Sequence, residues 1–151
     1  MRWMKALVLV CGFGLPLGLV VMPGEAQAGS KVGIKVRVVH ATKDSRKIDK
    51  RLSKISKHLT KLGYTGFSLL ETESAEISPK GKKSFTIAGG RKLTVAVLSK
   101  DSKRARLRVE IQGKKGKLVD TTVSIRRNGF FIVAGPKYKG GILVLPISAR
   151  Y

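Results

Sequence analysis

Between Lys31 and His40, apolar side chains take every second position: Val32, Ile34, Val36 and Val38 on one side, with Lys31, Lys35 and Arg37 on the other. That alternation predicts a strand with one buried face. After a polar break at Thr42 to Arg46 the spacing changes. Ile48, Leu52, Ile55, Leu59 and Leu62 recur in steps of four, three, four and three, the stripe of one amphipathic helix. Gly63 is its expected stop, and Asp44, Ser45 and Asp49 cluster where its N-terminus needs caps and negative charge. Beyond the helix the pattern predicts strands at Phe67 to Ile77, Ser84 to Ala88, Lys92 to Leu98, Arg104 to Gln112, Leu118 to Arg126, Phe130 to Ala134 and Ile142 to Ile147. Turn chemistries separate them, among them Pro79-Lys80-Gly81, Gly89-Gly90 and Asn128-Gly129.

The expected fold is α+β and mostly antiparallel β. A strand and one N-terminal amphipathic helix lead into a meander of about seven strands that forms a single curled sheet, a sandwich or a partly open barrel, with the helix over one side or end. No residue pattern recurs at a fixed period.

The first 28 residues follow a different pattern. Arg2 and Lys5 precede an apolar run from Ala6 to Met22, and Ala26-Gln27-Ala28 supplies a small-x-small cleavage site, so residues 1–28 read as a signal peptide. The expected mature protein, 29–151, is one basic β-rich domain, periplasmic or secreted, or peripheral to the outer membrane. Removing 28 residues from 151 leaves 123, enough for one core. The single cysteine, Cys11, falls in the leader, where Val10 argues against lipoprotein processing, and the mature chain has no thiol for a disulfide or metal site. No later stretch matches a membrane helix in length and apolarity.

Charge narrows the partners. Arg2, Lys5 and Glu25 leave with the leader, so the formal charge moves only from +22 to +21. That far exceeds the roughly 2 to 8 charges that keep a small domain soluble. Opposite the helix's apolar stripe, Lys50, Lys54, Lys57 and Lys61 predict a basic ridge with no acid inside it. Arg104, Arg106 and Arg108 alternate with Ala105, Leu107 and Val109 and predict a second basic row. If the two rows share a face, they make a polyanion footprint. The expected partners are anionic lipid or lipopolysaccharide, or an acidic envelope protein. Nucleic acid is disfavoured, because the mature aromatics match no RNA-recognition signature, most occupy expected core positions and export meets little nucleic acid.

Residues 134–141 imitate a phosphate loop but lack the Lys-Ser/Thr, and a strand follows. The segment is expected to be a long turn presenting Lys137, an exposed Tyr138 and Lys139 as a contact loop. For catalysis there are only His40 and His58, without a nucleophile motif, and both read as neutral structural histidines. Glu71 and Glu73, with Glu76 after them, suggest a carboxylate pair but read as exposed acids balancing lysines. A non-enzymatic protein without metal or cofactor is expected, and the alternative is an assembly module that pairs a sheet edge with another envelope protein.

Leu143, Leu145, Ile147, Ala149 and Tyr151 alternate to a terminal aromatic, which resembles the C-terminal signature of outer-membrane β-barrel proteins. That resemblance implies a small membrane barrel; Pro146 and the helix speak against it. The strand-helix start, the hairpin series and the ending Gly135-Pro136-Lys137-Tyr138-Lys139-Gly140-Gly141-Ile142-Leu143-Val144-Leu145 resemble small exported bacterial envelope proteins of unknown function. The resemblance implies export and carries no site residue.

Overall fold

The computed structural model describes residues 31–151; the leader, with Cys11 and its cleavage site, lies outside the described residues. Eight antiparallel strands form two four-stranded sheets that are not closed into a barrel. In chain order they are β1 (Val32–Thr42), β2 (Gly66–Ile77), β3 (Lys82–Ile87), β4 (Arg91–Lys100), β5 (Arg104–Gly113), β6 (Gly116–Arg126), β7 (Phe130–Tyr138) and β8 (Gly141–Arg150). Sheet 1 has the order β2-β1-β8-β7 and sheet 2 the order β3-β4-β5-β6. Of the three expected architectures, the sandwich is the one formed. Only β3 to β6 make a meander. The last hairpin returns to the first strand, pairing Val36 with Ile147 and Gly33 with Arg150.

Alternation decides what fills the space between the sheets. β1 turns Val32, Ile34, Val36 and Val38 inward, where they meet Leu143, Leu145 and Ile147 of β8, Leu93 and Val95 of β4, and Leu107 and Val109 of β5. The pattern that resembled a membrane-barrel terminus is therefore spent between the two sheets. The other face of sheet 1 has a smaller core of its own: Val39, Ala41 and Val144, with Phe67 of β2, lie under Leu52, Ile55 and Leu59. Two-sided burial explains why Ile142 to Ile147 is almost continuously apolar, whereas β5 alternates cleanly. Each described strand pairs within 32–150 and both described cores lie within 32–149, so a chain from Gly29 holds every described strand and core residue.

The expected single helix is shorter and in two parts: a 3-10 segment, Lys50–Ile55, followed by α1 (Ser56–Thr60). Asp49 caps the first part, its side chain accepting from the Arg51 amide at 3.0 Å. Leu52 and Ile55, three apart, both reach the sheet because a 3-10 turn eclipses such positions, and Leu59 follows at the α spacing. Ile48 lies before the helix, bridged to Phe67, and Leu62 is exposed beyond it. Gly63, at positive φ, follows the final turn as expected.

Candidate anion-binding surface

The helix covers the outer face of sheet 1, and the arginine row of β5 stands on the outer face of sheet 2, so the two expected basic rows lie on opposite sides of the sandwich. The single coplanar footprint does not form. The ridge is also not one line. At three residues per turn, Lys50 is rotated about 120° from Lys54. All four helix lysines are nevertheless exposed.

The two faces differ in how their charges are compensated. On sheet 2, Arg108 reaches Asp120 at 2.8 Å and Glu110 at 2.9 Å, and Lys117 approaches the same two acids at 3.1 and 3.6 Å. Hydrogen bonds from Arg108 and Lys117 hold the Asp120 carboxyl well below the usual carboxylate range, and the same acid raises both bases. Arg108 is therefore committed to a network of two bases and two acids. Arg104 and Arg106 have no carboxylate within ion-pair distance among the described residues, and Arg104 stands directly opposite Arg126. On the helix side, Asp49 is taken by Arg51, whose hydrogen bond holds its carboxyl far below the ordinary value. No described carboxylate lies within ion-pair distance of Lys50, Lys54, Lys57 or Lys61.

Lys54 opens onto a groove of about 520 Å³ between the helix and the uncovered half of sheet 1. Lys35, Arg37 and Arg150 line the same groove, with Pro146 and Ile55 among its apolar surfaces and Glu76 as the one acid in its lining. Nothing local in the sequence marks Arg150 as a groove residue, because its neighbour Gly33 is far away in the chain. Lys35 and Arg37 were legible as the polar side of β1. What the alternation could not tell was that the helix stops short and leaves them open.

The β7 edge joins the two faces. Phe130 and Phe131, which begin β7, are 40% and 43% exposed, against the expectation that the aromatics are mostly core. Successive strand residues point to opposite sides. Phe130 pairs with Ser148 and turns to the helix side, where it packs edge-to-face with His58 at 5.2 Å; Phe131 pairs with Ile147. Phe130 borders the groove and also a second hollow, of about 690 Å³, which Leu62, Phe131, Arg104 and Arg126 share. Thus one member of each basic row, Lys54 and Arg104, flanks the same exposed phenylalanine.

No protein family, curated protein or solved structure matches the chain. Among the described residues no helix is long and apolar enough to cross a membrane, and no group of three His, Cys, Asp or Glu is placed to hold a metal ion.

The expected contact loop is smaller than the sequence suggested. β7 continues to Tyr138, and the turn is Lys139-Gly140, both at positive φ as a two-residue hairpin requires. Tyr138 is half-buried, its ring edge-to-face with His40 at 5.3 Å, while His40 Nε2 donates to its carbonyl at 3.0 Å. His40 thus has a structural role. Lys137 and Lys139 are exposed, but Asp44 lines the hollow beside them. Glu71 and Glu73 are not exposed acids. They are half-buried, pair with Val38 and Val36, and so point to the inner side of edge strand β2. Burial and then the Glu73 charge raise the Glu71 carboxyl above its ordinary value. Inward charges protect an edge from further pairing. The β3 edge is short and carries Lys82 and Lys83, and Pro136 lies where the β7 register shifts, so three of the four edges resist strand addition.

Proposed function

We propose that the protein is a non-enzymatic, exported envelope component that docks on an anionic surface through the helix-bearing face and the adjoining β7 edge. One observation carries this reading: compensation is uneven, present at Arg108 and Lys117 and absent along the four helix lysines as well as at Arg104 and Arg106. Glu110 and Asp120 neutralise the middle of the sheet 2 face, whereas the four helix lysines and the cations of the neighbouring groove have no carboxylate within ion-pair distance among the described residues. Like charges held close on a helix cost a few tenths of a kcal/mol per pair, and an arriving anion removes that cost. The same uncompensated field steers an anionic surface toward this side of the molecule.

The test is binding of residues 29–151 to vesicles containing anionic lipid or lipopolysaccharide, at low salt and at about 0.15 M, where the Debye length is about 8 Å. The expected result is binding that weakens with salt yet persists at the higher value. Changing Lys50, Lys54, Lys57 and Lys61 to glutamine removes most of it. Binding that is indifferent to the four changes would refute the reading.

A further inference from the structure

Building on the proposed docking on an anionic surface, we infer that the surface is a lipid bilayer and that Phe130, Phe131 and Leu62 enter its interface as a small wedge. The three side chains are 40%, 43% and 37% exposed and border one hollow, which makes them an apolar cluster on a chain carrying +22. Lone exposed apolar residues need no explanation, but adjacent ones rimmed by polar groups mark an interaction site.

The arrangement of cations points to lipid. Lys54 and Arg37 stand on one side of Phe130, across the groove, and Arg104 and Arg126 on the other, across the second hollow. Apolar side chains between flanking long cations match a headgroup-level geometry: rings sink to the acyl boundary while Lys and Arg stems extend to phosphates. Each cation near an anionic leaflet adds about 1 kcal/mol of attraction, so four flanking charges can hold a wedge too small to anchor by itself. An acidic protein would need a much larger complementary face, on the order of 800 Å² per partner, and three half-exposed side chains are a poor core for that.

The position in the chain suits the role. Phe130 and Phe131 follow the Arg127-Asn128-Gly129 crossover between the sheets, where Asn128 has positive φ and the Gly129 amide donates to the Arg126 carbonyl at 2.8 Å. The wedge is therefore mounted on a hydrogen-bonded turn and a paired strand, with its rings splayed to the two sides of the edge.

The chain's one tryptophan is Trp3, so residues 29–151 carrying Phe131→Trp have a single indole reporter. The probe is a vesicle of phosphatidylglycerol and phosphatidylcholine, with and without brominated acyl chains, and heparin serves as a soluble polyanion. The expected result is a blue shift and bromine quenching on anionic vesicles. In parallel, Phe130→Ser with Phe131→Ser lowers vesicle affinity about tenfold, the loss expected when two rings forfeit apolar burial, and leaves heparin binding and the circular dichroism spectrum unchanged. Vesicle binding without shift or quenching overturns the wedge and leaves surface docking by charge. Binding to heparin or to an acidic protein but not to vesicles overturns the lipid assignment alone. Binding to none of them overturns this inference together with the docking reading it rests on.

Discussion

The outer faces of the two sheets start from similar strands and end differently. On sheet 1, Val39, Ala41 and Val144 are apolar on the outer face and draw the helix down as a second core, which brings a set of lysines with it. On sheet 2, the outer face is polar throughout its centre, no described element covers it, and Arg108, Lys117, Glu110 and Asp120 satisfy one another. An uncovered face can compensate its charges across strands, because neighbours at 5 Å spacing are fixed by register. The helix supplies no acid within Lys50 to Lys61, and no described carboxylate of the sheet beneath comes within ion-pair distance of its four lysines. The difference shows that net charge alone says little about where a polyanion binds; what matters is where the fold gathers cations that have no acids among them.

The largest effect that sharpens this comparison is loss of the helix cap. Leu59→Ala removes a fully buried side chain from the second core and should cost about 2 to 5 kcal/mol in denaturant unfolding. Thr94→Ala, on the uncovered face of sheet 2, removes only a cross-strand hydrogen bond with Ser84 and should cost about 1 kcal/mol or less. If the two substitutions cost the same, the second core is not what holds the helix. Next comes Gly141→Ala, since a Cβ at Gly141 would overlap the Ala41 carbonyl oxygen where β8 begins against β1. Overpacking there should cost about 1 to 3 kcal/mol, read from the same unfolding curves.

Smaller effects appear in the pH dependence of stability, with opposite signs. Arg51 lowers the Asp49 carboxyl, so its stabilising contribution is present above the unfolded carboxylate value of about 3.9 and is lost as pH falls through the folded value. Asp49→Asn should therefore flatten the acid side of the stability profile. Burial raises Glu71, so its ionised form opposes folding as pH rises through the folded value. Glu71→Gln should stabilise the protein at pH 7, and that gain should vanish below about pH 4.3, where both states are protonated. A gain that persists in acid would contradict the burial assignment.

Most strands were legible because their alternation is local: β5 was expected at Arg104 to Gln112 and runs Arg104–Gly113. The turns at Gly89-Gly90 and Asn128-Gly129 were legible for the same reason, since positive φ selects glycine and asparagine. The helix was misjudged because apolar steps of three and four fit a continuous α-helix as well as a 3-10 turn followed by an α turn. At the candidate surface, the lysines of the helix could be read from their spacing. The opposition of the two basic rows, the Gly33–Arg150 neighbourhood and the exposure of Phe130 and Phe131 could not. All three depend on β7 and β8 returning to pair beside β1, a long-range choice that no local pattern encodes. Glu71 and Glu73 were misplaced likewise, because alternation says that they share a side and not that the side faces inward.

The most direct test of one-sided docking compares two charge-matched variants of residues 29–151 on anionic vesicles at about 0.15 M salt. One changes Lys50, Lys54, Lys57 and Lys61 to glutamine; the other changes Lys82, Lys92, Arg106 and Lys114, three on the outer face of sheet 2 and one in its β5-β6 turn. The account predicts that the first loses most of its binding and the second, with the same net charge, keeps it. Equal losses in the two variants would contradict it and reduce the charge of this protein to a solvated background.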